Sequence, residues 1–207
     1  MSFVLAKLEE QIADVWQEAK DLEYHAQFGL VVFVDDVRLV SKDPINSISE
    51  LQDQFRSWYF HTQSNLQPSS FHLNLDFPEN SLDALVKGAQ DFNWRPKEST
   101  TRIIYHLTDD TFLEQGQYFA NGLPARSSYQ ETLSILEENK IKTAIFARKN
   151  QQGITVHPGA GFFSGVRGYP SIPEATDGAV FDIEKINSGS VSLGESLQSF
   201  YIEKSCN

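Results

Sequence analysis

The sequence predicts an α/β fold: a doubly wound, mostly parallel sheet with helices on both faces and one antiparallel edge strand. Amphipathic helical patterns alternate along the chain with short apolar runs rich in β-branched residues, repeatedly in helix-then-strand order. At 207 residues the chain is long enough for one sizeable α/β domain and short for two. We therefore expect residues 1–207 to form a single domain.

Helices are predicted where apolar residues recur at helical spacing and leave a polar opposite face. Ser47 or Ser49 is expected to cap the second helix, and Ser127 or Ser128 the fourth. Acidic residues open the third helix, where the helix dipole favours them. The predicted helices cover residues 3–24, 48–60, 79–92 and 129–139, with a closing helix over 193–202.

Strands are predicted from apolar runs bounded by turn residues. The continuous run 28–34 favours a strand that is covered on both faces. Asp35 and Asp36 interrupt it, and we interpret them as a tight hairpin turn before a second strand over 37–40. Further strands are expected over 102–108, 140–147 and 178–183, the last at an edge of the sheet.

Charge and composition limit the partners. A net charge of −11 argues against nucleic-acid binding, which requires a basic face. Cys206 is the only cysteine, so neither an internal disulfide nor a cysteine zinc site can form. No apolar run reaches the length of a transmembrane segment, and the N-terminus lacks a signal-peptide pattern. We expect a cytoplasmic protein if Met1 is the native start, and an extracellular or surface-exposed one if an upstream segment has been lost.

Oxygen-bearing side chains follow the strand that ends at Thr108 and precede the third helix. Ligands of open α/β sheets lie beyond the carboxyl ends of the strands, so Thr108, Asp109 and Asp110 are at such a rim. We expect Asp76 and Glu79 at the same rim. Because Mg²⁺ and Ca²⁺ prefer oxygen ligands, Asp109 and Asp76 are candidate metal ligands, with Thr108, Asp110 and Glu79 as a partner-binding rim. The alternative is turn formation or helix capping.

Several segments, in order, resemble a von Willebrand factor A domain. They are Gly29-Leu-Val-Val-Phe-Val-Asp-Asp-Val-Arg-Leu39, Asp76-Phe-Pro-Glu-Asn-Ser-Leu-Asp-Ala-Leu85, Trp94-Arg-Pro and Arg102-Ile-Ile-Tyr-His-Leu-Thr-Asp109. The resemblance continues through 141–147 and 178–183 and covers most of the chain. It implies a Rossmann-like fold and a non-enzymatic module for protein interaction or adhesion, which binds a protein partner through a metal-ion-dependent adhesion site.

In that family the site combines a D-x-S-x-S motif after the first strand, a threonine on a second loop and an aspartate on a third. By position Asp109 matches the third-loop aspartate. Asp76 and Phe77 stand where the threonine is expected, and the D-x-S-x-S motif is missing. The resemblance therefore implies an incomplete site, at which Mg²⁺ or Ca²⁺ binds weakly or not at all.

The usual first, central strand of the family is also absent, because the helix from Phe3 begins where that strand and its motif would end. Three explanations follow. The start is truncated or misassigned, another chain donates the strand, or the neighbouring strands close up directly into a degenerate domain.

Two other functions are consistent with the same residues. A small α/β enzyme would use Asp109 with His106 or His72 as acid and base, although a regular strand directs His106 and Asp109 to opposite faces. A purely structural, degenerate domain would have no site. The glycine-rich loop from Gly153 to Pro173 does not have the pattern of a phosphate-binding loop.

Overall fold

The computed structural model describes residues 2–21, 23–149 and 159–192. They divide into two compact units, one drawn from residues 2–29, 44–64 and 184–192, and the other from residues 30–43 and 65–183. The helix predicted over 193–202 lies outside the described residues, as do His157 and the first part of the loop from Gly153 to Pro173.

Within the described residues the chain forms six α-helices, one short 3₁₀ helix and five strands. The helices are α1 (Ser2–Asp21), α2 (Ile48–His61), the 3₁₀ helix (Thr62–Ser64), α3 (Ser81–Asp91), α4 (Tyr129–Glu138), α5 (Ile172–Ala175) and α6 (Ile183–Asn187). The strands are β1 (Val31–Phe33), β2 (Val37–Leu39), β3 (Arg102–Thr108), β4 (Ile141–Ala147) and β5 (Ala179–Asp182). None of the helices described is both long and apolar enough to cross a bilayer.

The larger unit confirms the α/β class. Strands β3, β4 and β5 form a parallel sheet in that order, with Thr108 opposite Ala147 at the end of the β3–β4 ladder. Strands β1 and β2 form a separate antiparallel pair, joined by the turn predicted at Asp35 and Asp36. The antiparallel element is therefore this pair, whereas β5 runs parallel to β4 at the edge of its sheet.

Strand β1 differs from the expectation for residues 28–34. Only Val31–Phe33 is a strand, and all three residues are partly exposed instead of covered on both faces. Within the described chain β1 pairs with β2 alone, so its other edge has no ladder partner. An apolar run predicts burial on both faces only when the strand lies inside a sheet.

The core of the larger unit lies between helices α3, α4 and α5 and the parallel sheet. Apolar faces at helical spacing explain why α3 and α4 form there, and Ser128 caps α4 by accepting a hydrogen bond from the Glu131 N–H. The fully buried side chains of this core include Leu82, Leu85, Tyr129, Leu136, Ile145, Phe162 and Ile172.

The smaller unit contains the helix pair α1 and α2. Ser47 caps α2 as predicted by accepting from the Glu50 N–H, and Leu51 and Phe55 are buried on its apolar face. Arg56 of α2 donates hydrogen bonds to the carboxylate of Glu9 in α1, which links the polar edges of the two helices.

Gly178 gives a test of the β4–β5 packing. A Cβ at this position would lie 2.1 Å from the backbone oxygen of Thr143. Because backbone cannot give way as a flexible side chain can, we expect Gly178→Ala to reduce the free energy of unfolding by about 2 kcal/mol or more.

Gly88→Ala is the matched control in urea denaturation. Its added Cβ would meet only side-chain atoms, the nearest being Ile104 Cδ1 at 3.3 Å, and alanine favours the helix by about 1 kcal/mol. Equal stabilities for the two variants would contradict the described β4–β5 register.

Candidate functional site

At the ends of β3 and β4, Asp109 lies beside Arg148. Parallel strands end at the same edge of a sheet, so Asp109 and Arg148 follow the paired residues Thr108 and Ala147. The Asp109 carboxylate lies 3.7 Å from Arg148 Nη2. The positively charged side chain of Arg148 therefore faces the carboxylate of Asp109, which the sequence predicts as a metal ligand.

Thr108 and Glu79 form the buried part of this edge. The Thr108 hydroxyl donates to Glu79 Oε2 at 2.7 Å, and the Glu79 N–H donates to the carbonyl of Thr111 at 2.8 Å. Burial, followed by the negative charge of Asp109, raises the pKa of Glu79 to about 8. The Glu79 carboxyl is therefore largely protonated near pH 7 in the protein without a cation.

The predicted partner-binding rim is more buried than the sequence indicates. Thr108 is 0% exposed, so it would support such a surface from beneath. Asp110 is partly buried and accepts from the Thr111 N–H at 2.7 Å; burial, with a smaller effect of the Asp109 charge, raises its pKa. Neither Asp76 nor Glu79 caps α3, because Asn80 holds the N-cap position.

Asp76 contacts the loop that contains Ala120 and interacts with Asp35. Its Oδ2 atom accepts from the Ala120 N–H at 2.9 Å, and its charge raises the pKa of Asp35. Asp76 therefore belongs to a second group of polar residues, which we call the Asp35 cluster. Its members are Asp35, Gln67, Asp76 and Asn121, together with Asn74, which adjoins Leu73 and lies two residues before Asp76 in the sequence.

Asp35 is the centre of this cluster and is only 1% exposed. The Gln67 amide accepts from the backbone N–H of Asp35 at 2.8 Å and donates to Asp35 Oδ2 at 2.6 Å. Asn121 Nδ2 donates both to Asp35 Oδ2 at 2.5 Å and to the Leu73 carbonyl at 3.0 Å. These bonds hold the β1–β2 turn against segment 73–76 and the loop that contains Asn121.

Three oxygens of the Asp35 cluster are buried and have no hydrogen-bond partner. They are Asp35 Oδ1, Asn74 Oδ1 and Asp76 Oδ1. Burying an oxygen without a partner costs about 1–3 kcal/mol, and more when it carries charge. Burial, and then the nearby Asp76 charge, raises the pKa of Asp35 to about 6.

The three unpartnered oxygens are of the types that bind divalent cations. Mg²⁺ and Ca²⁺ bind carboxylate and amide oxygens and complete their coordination with water. Among the described residues, no group of three or more His, Cys, Asp or Glu side chains is placed so that it could hold a metal ion. The Asp35 cluster lies outside that pattern because it has two carboxylates, and its third unpartnered oxygen belongs to an amide.

His106 and His72, the two candidates for acid–base chemistry, differ in burial: His106 is buried and His72 is exposed. His106 is 3% exposed, and its ring lies 5.0 Å from Phe33 and 5.7 Å from Phe162. Burial lowers the pKa of His106 to about 3. His106 is therefore a core residue, and its Nε2 atom has no hydrogen-bond partner. His72 is exposed and contacts the Ser70 hydroxyl at 3.1 Å.

Sequence reasoning missed Asp35, Gln67, Asn74 and Asn121. One available signal was the spacing Asn74-Leu75-Asp76, since residues two apart in an extended segment point the same way. The other was a pair of aspartates directly after an apolar strand. Gln67 and Asn121 gave no local signal, because each contacts a residue far away in the sequence.

Comparison with known proteins does not assign the chain to a family. No protein-family model matches it, and no curated protein sequence matches it.

The burial of Glu79 predicts a distinct pH dependence. Because its pKa in the folded protein is raised above the ordinary 4.5 to about 8, the protein should lose stability relative to Glu79→Gln as the pH rises between these values. We expect the variant to be more stable than wild type by more than about 1 kcal/mol at pH 9 and similar below pH 4.5.

Denaturant titrations at several pH values, with EDTA present, would measure this difference. Glu98→Gln, which changes an exposed glutamate, is the control and should follow wild type throughout. Parallel pH profiles for wild type and Glu79→Gln would contradict the buried position of this carboxyl.

Proposed function

We propose that the chain is a non-enzymatic protein-interaction module of the von Willebrand A type, in which the Asp35 cluster holds a divalent cation. The observation that carries this proposal is the set of three buried, unpartnered oxygens on Asp35, Asn74 and Asp76. Mg²⁺ or Ca²⁺ would neutralise the repulsion between the two carboxylates and satisfy all three oxygens.

Asp109 is a weaker candidate ligand under this proposal. Arg148 lies beside its carboxylate, and the neighbouring Glu79 has a raised pKa. Both features reduce the negative charge that a cation would meet at this edge. The adhesion-type site suggested by Asp109 is therefore proposed to be degenerate, with its cation function at the Asp35 cluster instead.

A catalytic pair of Asp109 with His106 is less well supported. The His106 ring is buried beside Phe33 and Phe162, so it has no direct access to a substrate in solvent. General acid–base catalysis requires a titratable group within hydrogen-bond reach of the reacting atom. These contacts favour the binding module over the small α/β enzyme.

Metal titration by calorimetry tests the cation site. We expect Ca²⁺ or Mg²⁺ to bind and to raise the Tm, because a ligand of the folded state stabilises it. Asp35→Asn and Asp76→Asn should each weaken binding by about tenfold or more, while Asp109→Asn retains it. Asp35→Asn should also stabilise the metal-free protein, because it removes a buried charge.

Proton release distinguishes direct ligation by Asp35 from a general stabilising effect. With a pKa of about 6, part of the Asp35 population is protonated at pH 6 and must lose its proton when a cation binds. We expect the measured heat to depend on buffer ionisation enthalpy at pH 6 and not at pH 8. Binding that requires Asp109 but not Asp35 would refute the proposal.

The Rossmann-like arrangement is also part of the proposal. Helix α3 contacts both sheets: a Cβ at Gly88 would lie 3.3 Å from Ile104 of β3 and 3.7 Å from Val31 of β1. Within the described chain β1 and β3 share no ladder. These observations support the view that the β1–β2 pair and the β3–β4–β5 sheet are two parts of one sheet, separated by the position of a missing strand. A strand donated by another chain would fill that position.

Amide hydrogen exchange tests strand donation. In the isolated chain we expect alternate amides of β3 to exchange quickly, because β4 pairs with only one edge of the strand. The same amides should become protected in a complex with the donor. Protection of every β3 amide in an isolated monomer would show that the existing strands close up without a donor.

A further inference from the structure

Segment 71–77 exposes apolar side chains at alternate positions. Phe71 is 94% exposed and Phe77 72%, with Leu73 and Leu75 also exposed between them. Tyr118 is 68% exposed and belongs to the loop that bonds to this segment through Ala120 and Asn121. We call these five residues the apolar stripe: Phe71, Leu73, Leu75, Phe77 and Tyr118.

The exposed residues of the stripe alternate with the two residues of this segment that we propose as cation ligands. Asn74 and Asp76, at the intervening positions, have buried Oδ1 atoms. Residues that alternate along an extended chain point to opposite sides. Leu73, Leu75 and Phe77 are accordingly exposed, whereas Asn74 and Asp76 between them are partly buried.

The stripe is held in place by the surrounding backbone. Leu73 forms an antiparallel bridge with Leu66, and hydrogen bonds link Gln67 to His72 and Asn74 to Asn65. Single exposed apolar residues are ordinary on protein surfaces, whereas several of them in one short segment indicate an interaction site. Because the segment is already ordered, docking a partner there would cost little conformational entropy.

Charge indicates the chemistry of the partner. From residue 65 to residue 86 the sequence contains no Lys or Arg, and the whole chain carries a net charge of −11. A second copy of the chain would bring the same negative charge to the contact. A partner segment with basic residues would instead be attracted to this surface.

We propose that the apolar stripe binds an extended segment of another protein, with alternating apolar side chains flanked by Lys or Arg. The stripe residues repeat every second position, which matches the side-chain repeat of an extended partner. This inference rests on the proposed function as an interaction module. It specifies the partner chemistry and the surface that recognises it.

Selection from a displayed library of random linear peptides tests the proposal on the full chain. We expect enriched peptides to combine alternating aromatic or aliphatic residues with Lys or Arg, and to bind more weakly at high salt. The double variant Phe71→Ser, Phe77→Ser should weaken their binding by about tenfold or more, and Leu75→Ser should weaken it in the same direction.

Phe60→Ser is the matched control, because Phe60 is 59% exposed but lies on α2, outside the stripe. It should leave peptide affinity unchanged. An unchanged Tm for each variant would show that weaker binding does not arise from unfolding. All substituted side chains are exposed, so we expect them to fold.

Several results would overturn the proposal. These are no enrichment, enrichment of acidic peptides, or peptides that bind the double variant as well as wild type. Light scattering that shows a dimer lost in the double variant would assign the stripe to a second copy. Sedimentation with phosphatidylcholine vesicles that depends on Phe71 and Phe77 would assign it to a lipid surface.

The cation titration separates failure of this inference from failure of the proposed function. The double variant keeps all members of the Asp35 cluster and should bind Ca²⁺ or Mg²⁺ as wild type does. If the cation binds and no peptide is selected, the stripe assignment fails alone. If no cation binds to either protein, the cation site itself fails.

Discussion

The carboxylate of Asp35 joins segments that are far apart in the sequence. Gln67 and Asn121 bind it directly, and Asn121 also holds the carbonyl of Leu73. Asp76 lies close enough for its charge to raise the pKa of Asp35. A buried carboxylate beside another carboxylate is costly unless a proton or a cation neutralises it. The arrangement of the surrounding loops therefore depends on how this charge is compensated.

The same constraint connects the interior of the larger unit to its surface. Segment 71–77 contributes buried oxygens from Asn74 and Asp76 and exposed apolar side chains from the alternate positions. A cation bound between Asp35 and Asp76 would fix the path of this segment. It would thereby fix the spacing of the apolar stripe, so the two proposals describe opposite sides of one piece of backbone.

The sequence predicted the local elements better than their assembly. Apolar periodicity and serine caps predicted helices α2 and α4. Apolar runs predicted strands β3 and β4, and the predicted ends agree with the observed ends to within about one residue. The full-length strand over 28–34 was wrong, because burial of its second face depends on a neighbour that the described chain does not provide. The sequence identifies Asp35 only as a turn residue. Its contacts with Gln67 and Asn121 are not visible there, because they span 32 and 86 residues. Such contacts leave no periodic signal in the sequence.

The most direct measurement is a crystal structure of the protein grown with Mn²⁺, in which anomalous scattering locates the ion. Mn²⁺ has the same preference for oxygen ligands as Mg²⁺ and Ca²⁺. We predict an anomalous peak contacted by Asp35 Oδ1, Asn74 Oδ1 and Asp76 Oδ1. A peak at Asp109 with none at Asp35, or no peak at a Mn²⁺ concentration well above the expected dissociation constant, would contradict the account.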